Sequence, residues 1–125
     1  MLGNHDSSAI VAVRDIDRAR EFYERTLGLE VLGDDGGQGV LTFATGATKL
    51  IVYRSDEAGG NRGNAVVWGV GDDLDAIVAA LEAKDVKFEH YPDIGTLDGN
   101  VHQAGSAKLV WIKDPDGNIL HFNNM

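Results

Sequence analysis

A chain of 125 residues has room for one ordinary domain or two very small ones, and it should bury roughly two-thirds of its unfolded surface. Its 11 Lys and Arg against 20 Asp and Glu leave a net charge of −9, which argues against nucleic acid and anionic membrane surfaces and permits a cationic ligand. With no cysteine, disulfides, thiolate catalysis and thiolate-held metals are excluded.

The opening MLGNHDSS has neither the basic nor the apolar region of a secretion signal, and no apolar run approaches the roughly 18 residues of a membrane span. A cytoplasmic protein is expected. Ser8–Val13 reads as a short apolar strand. Asp15 then caps a helix, with Asp17 in its first turn. Ile16, Ala19, Phe22, Tyr23 and Leu27 fall on one helical face, and Gly28 ends the helix where a positive φ is wanted. Leu29–Leu32 reads as a strand, and Gly33–Gly37 as a Gly-rich loop with no phosphate-cradle context. Val40–Ala44 and Lys49–Tyr53 are two more strands about the turn Thr45-Gly46-Ala47.

Ser55–Asn64 is polar, Gly-rich and aperiodic, and reads as a linker. The order then recurs. Ala65–Val70 is a strand with Trp68 on its core side. Asp72 or Asp73 caps a helix whose apolar face is Leu74, Ile77, Val78 and Leu81. Val86–His90 is a strand and Tyr91–Ser106 a long loop. Leu109–Ile112 and Ile119–Phe122 form a hairpin about Asp114-Pro115-Asp116-Gly117, where Pro115 presets φ and Gly117 supplies a positive φ. The halves align at an offset of about 57 residues, with Val13-x-Asp15 on Val70-x-Asp72, Gly28-Leu29 on Asp85-Val86, and Lys49–Tyr53 on Ile119–Asn123. The reading is α+β: two βαβββ modules, about 7–54 and about 65–125, with 55–64 between them, in one domain of residues 1–125. Two such units paired edge to edge would form a curved mixed sheet around a concave cavity.

The run Val13-Arg14-Asp15-Ile16-Asp17-Arg18-Ala19-Arg20-Glu21-Phe22-Tyr23, followed by Leu27-Gly28-Leu29, resembles the first half of the vicinal oxygen chelate superfamily, the glyoxalase, bleomycin-resistance and extradiol-dioxygenase group. Asp114-Pro115-Asp116-Gly117-Asn118 before a short strand is similar to its C-terminal signature. The resemblance implies paired modules, a homodimer, and a small-molecule pocket inside the curved sheet. It also implies a divalent ion held by His or Gln on the first strand of a module and Glu on the last. The matching positions here are Ser8, Ala65, Ile51 and His121. Only His121 is a good ligand. Ser8 is weak, and Ala65 and Ile51 offer no donor, so no metal and no cofactor is expected. A relocated site would need His90 or His102 beside His121.

Alternation puts Ile119 and His121 on one face of the last strand and Leu120 and Phe122 on the other. His121 is therefore the candidate catalytic or ligand-binding residue, since imidazole serves as hydrogen-bonding group or general base near neutral pH. Its structural alternative is a satisfied core histidine. Tyr53 shares a face with Ile51 and Lys49 and offers an aromatic wall with a polar tip. His102 lies in a loop that would cover the pocket mouth, and Trp111 fits either face of the hairpin. His121, Tyr53, Trp111, His102, Ser8 and Ile51 are thus the candidate ligand contacts. The favoured reading is a metal-free protein binding a small apolar, aromatic or cationic molecule. The alternatives are a lyase, isomerase or dioxygenase with an atypical divalent-metal site, and an interaction module whose pocket is filled by inward Trp111 and Tyr53.

Overall fold

The computed structural model describes residues 1–34 and 37–125. Asp35 and Gly36 of the expected Gly33–Gly37 loop lie outside the described residues. The chain divides into two compact units, Met1–Gly60 and Asn61–Met125. Each carries few helices and one open mixed sheet.

The first unit runs β1 (Ala9–Val13), α1 (Ile16–Arg20), β2 (Glu30–Gly33), β3 (Val40–Thr45) and β4 (Thr48–Arg54). The sheet order is β1-β4-β3-β2, with β1 and β4 parallel and the other pairs antiparallel. Asp15 caps α1 as expected: its Oδ1 accepts from the Asp17 and Arg18 backbone N–H groups at 3.0 and 3.1 Å. The helix then widens into a π-turn over Glu21–Thr26, and Gly28 follows with φ +73°. Val11, Val13, Leu41, Phe43, Leu50 and Val52 bury one sheet face together with Ala19 and Tyr23. Ile51 and Tyr53 alternate to the other face and are half-buried. The segment read as a linker is tied down at both ends. The Ser55 N–H donates to the Val13 carbonyl, Ala58 is buried and accepts from Arg14, and Asn64 already belongs to a strand.

The second unit runs β5 (Asn64–Gly69), α2 (Leu74–Ala83), β6 (Phe88–Glu89), β7 (Thr96–Asp98), β8 (Val101–Ala104), β9 (Ala107–Lys113) and β10 (Ile119–Asn123). The order β5-β10-β9-β8-β7, with β6 on β9, repeats the first unit's scheme with one addition. The long loop expected at Tyr91–Ser106 is in fact mostly the β7–β8 hairpin, turning at Gly99 with φ +60°. Its strands are too short and polar to show period-two alternation. The second helix departs from expectation too. A tight turn over Gly71–Asp73 precedes it, and Asp73 has helical φ and ψ with no side-chain cap. Leu74, Val78 and Leu81 of α2 are buried, as are Phe88, Val110, Ile112, Leu120 and Phe122. Trp68 is half-buried and stacks on Phe122, ring centroids 5.2 Å apart.

Two details carry the repeat into the backbone. Asp85, aligned with Gly28, has φ +58°. Ile10 and Val67, also 57 positions apart, are both exposed on the first strand of their unit, at 58% and 59%. The β9–β10 hairpin is held by buried Asp114. Its Oδ1 accepts from the Asp116 and Asn118 backbone N–H groups at 2.9 and 2.8 Å, and its Oδ2 from the Asn118 side-chain amide at 2.7 Å. Asp114→Ala strips the acceptor from these donors and should lower the unfolding free energy by about 3 kcal/mol. Asp85→Gly relieves a left-handed backbone and should raise it by roughly 0.5–1 kcal/mol. Urea unfolding of both variants checks the opposite signs.

Candidate functional site in the second unit

Antiparallel pairing sets Trp111 opposite His121, and His102 opposite Leu109, two residues from Trp111 on the same side of β9. His102, Trp111 and His121 therefore share one face, and the structure brings these three expected residues together. Trp111 lies on His121 with ring centroids 4.6 Å apart and planes 21° apart. His102 and Tyr91 meet Trp111 edge-on at 5.0 and 5.1 Å. Trp111 Nε1–H donates to Asn64 Oδ1 at 3.1 Å. Ser8, Ile51 and Tyr53 belong to the first unit. Ser8 is exposed and lines a hollow with His5, Asp6 and Lys49, while Ile51 and Tyr53 lie half-buried on β4.

Hydrogen bonding fixes the state of His121. Nδ1 lies 3.1 Å from the Val110 carbonyl, which only accepts, so Nδ1 carries a proton. Nε2 lies 3.3 Å from the Asn123 side-chain amide, which donates to it. Both ring nitrogens are engaged, and the residue is 8% exposed. No lone pair is left for a metal. Ser8, Ala65 and Ile51 complete a donor set that does not fit a divalent ion, and no group of three His, Asp or Glu residues suited to a metal occurs among the described residues.

His102 is not a loop residue at a pocket mouth. It is buried in β8, at 1% exposure. Its Nε2 accepts the Tyr91 backbone N–H at 2.9 Å, so the neutral ring carries its proton on Nδ1. That nitrogen is buried and unpartnered. Burial pushes the pKa of the ring below its ordinary value, and the nearby His90 acts in the same direction. The Leu109 backbone opposes the shift, though Nδ1 makes no well-formed hydrogen bond. The loop after β6 forms a half-open hollow of about 260 Å³ lined by Tyr91, Pro92, Ile94, Leu97, His102 and the exposed His90.

The sequence reading missed Tyr91, Asn64 and Asn123 as site residues; Asn64 and Asn123 are placed by pairing across the sheet, and Tyr91 by the loop after β6. The one available signal was the even spacing of His121 and Asn123 on a single strand.

A family model described as Glyoxalase/Bleomycin resistance protein/Dioxygenase superfamily matches residues 7–122. Solved structures share the fold. A lactoylglutathione lyase from Agrobacterium tumefaciens is 22% identical, with 95% of this chain and 92% of that one covered and a TM-score of 0.73. A glyoxalase/bleomycin resistance protein/dioxygenase from Alicyclobacillus acidocaldarius is 17% identical, with 96% and 90% covered and a TM-score of 0.74. A variant of the fosfomycin resistance protein FosX from Listeria monocytogenes, complexed with Mn(II) and a dihydroxypropylphosphonic acid, is 12% identical, with 99% and 91% covered and a TM-score of 0.73.

The His102 pKa shift has a sign that can be checked. The folded state favours the neutral ring, while the unfolded chain takes up a proton near the ordinary value of 6.5. The unfolded state then binds more protons, so this contribution to stability is whole above that value and is lost as pH falls below it. His102→Gln keeps an acceptor for the Tyr91 N–H and removes the titration. Between roughly pH 7.5 and 5.5 the urea midpoint of the parent should fall further than that of the variant.

Proposed function

The chain belongs to the glyoxalase/bleomycin resistance protein/dioxygenase superfamily, and we propose that it is a metal-free member that binds a small apolar or aromatic molecule. Residues 1–125 work as one domain in this reading, as a homodimer in the cytoplasm. The supporting observation is the state of His121. The family position best suited to a ligand here is covered by Trp111 and has both nitrogens engaged.

What such a face offers is aromatic surface with few polar groups, the usual make-up of a small-molecule site. In the second unit Trp111 and His102 are buried beneath half-buried Tyr91, so Tyr91 is the aromatic ring of this group that a ligand meets first. In the first unit the corresponding groups are Tyr53 and Ile51 on β4, with Ser8 just before the neighbouring β1. No helix among the described residues is long and apolar enough to cross a membrane. The competing reading, a divalent-metal lyase, isomerase or dioxygenase, draws on the Mn(II) held by the FosX variant. It requires His121 to give up Asn123 and two further donors to be found elsewhere.

Elemental analysis separates the two. The untagged protein is incubated with Zn²⁺, Mn²⁺, Fe²⁺ and Ni²⁺ in turn, desalted and assayed for metal. Retention far below one ion per chain is expected with each. Stoichiometric retention that His121→Ala abolishes would overturn the metal-free reading and direct assays to lyase and dioxygenase chemistry.

A further inference from the structure

The cavity beside His102 has a polar device that the reading above does not use. Glu82 on α2 accepts from the Asn100 side-chain amide, Nδ2 to Oε2 2.9 Å. A carboxylate only accepts, so this contact fixes which end of the Asn100 amide faces it. Asn100 Oδ1 is thereby turned toward His90 and lies 2.9 Å from its Nε2. An amide oxygen also only accepts, so Nε2 must carry the proton. The neutral His90 ring therefore keeps its lone pair on Nδ1, which has no partner among the described residues. Three separate segments, α2, the β7–β8 turn and the end of β6, cooperate to hold one imidazole in one tautomer.

That ring is exposed and lies on the wall of a half-open hollow whose remaining lining is mainly apolar, Pro92, Ile94 and Leu97, with Tyr91 and His102 beside them. The cavity is also pre-formed. The Tyr91 N–H is tied to His102, and the Ile94 N–H closes a turn onto the Tyr91 carbonyl at 2.9 Å. Gly95, at φ +58°, lies against the backbone of Gln103 so closely that a Cβ would collide with its carbonyl. A volume of about 260 Å³ is just below the usual range for drug-sized ligands and suits a single ring.

We propose that this cavity binds a small, single-ring, mostly apolar molecule that presents one acidic O–H, as a phenol does, to Nδ1 of His90. Pro92, Ile94 and Leu97 take the ring, and the His90–Asn100–Glu82 chain supplies a fixed acceptor for the hydroxyl. The proposal deepens the small-molecule reading above and rests on it. His90 is here a binding group, positioned through Asn100.

The test compares para-cresol, whose hydroxyl stays protonated at neutral pH, with para-methylanisole, which has the same ring without the donor, by equilibrium dialysis. The parent should bind the phenol about tenfold more tightly, the worth of one good hydrogen bond. His90→Phe should keep the ring contacts and erase the preference. Asn100→Leu, which frees the His90 ring to turn, should weaken it. Leu97→Trp should fill the cavity and abolish binding of both probes. Equal affinity for the two probes in the parent, no binding of either, or long-range nitrogen NMR that places the proton of parent His90 on Nδ1 overturns the proposal. Phenol binding that survives Leu97→Trp but is lost in His121→Ala also overturns it, while leaving the metal-free reading intact. Metal retention in the preceding experiment overturns that reading by itself, whatever the probes do.

Discussion

Trp111 lies flat on His121 because the turn between β9 and β10 holds the two strands in one register. Side chains alternate along a strand, so a slip of one residue would send Trp111 and His121 to opposite faces. The carboxylate of Asp114 prevents this. Buried at 4% exposure, it gathers two backbone N–H groups and the Asn118 amide, while Gly117 supplies the φ of +87° that closes the turn. The remaining contacts follow from that register. Val110 is placed to accept from His121, Asn123 reaches the other ring nitrogen, and His102 and Tyr91 close on the exposed edges of the indole. A buried charge would be costly alone, and here it is surrounded by donors.

Most of the architecture was legible because it rests on local rules. Short apolar runs marked β1, β4, β9 and β10, and Asp15 and Gly28 bracketed the first helix by capping chemistry. The alignment of Gly28 with Asp85 was legible, and the structure carries it further, since Asp85 shares the left-handed backbone of Gly28. What escaped were features decided by tertiary contact. The β7–β8 hairpin gains its order by pairing with β9, which Thr96-Leu97-Asp98 does not announce. The second helix starts through a tight turn because Gly71 takes a positive φ, leaving Asp72 and Asp73 without a capping role.

The site was legible as a list and illegible as an arrangement. Alternation put His121 on the face opposite Leu120. It could not show that Trp111 would cover the ring, or that Val110 and Asn123 would take both nitrogens. His102 changed character most, from a loop residue to a core one, because its neighbour Tyr91 spends a backbone N–H on it. The contrast with His90 is instructive. A neutral imidazole has one lone pair: His102 uses it on the backbone, whereas the Asn100 contact of His90 leaves it unspent.

Between β2 and β3 the chain spends residues 34–39, whereas between β6 and β9 it spends residues 90–106. The two units share a plan, and the second adds the β7–β8 hairpin at this point. A duplicated fold can thus divide its labour. One copy can keep a short connection, while the other is free to lengthen its loop without disturbing the strand order. Novel recognition can then accumulate on an insertion, leaving the inherited framework to bear the demands of folding.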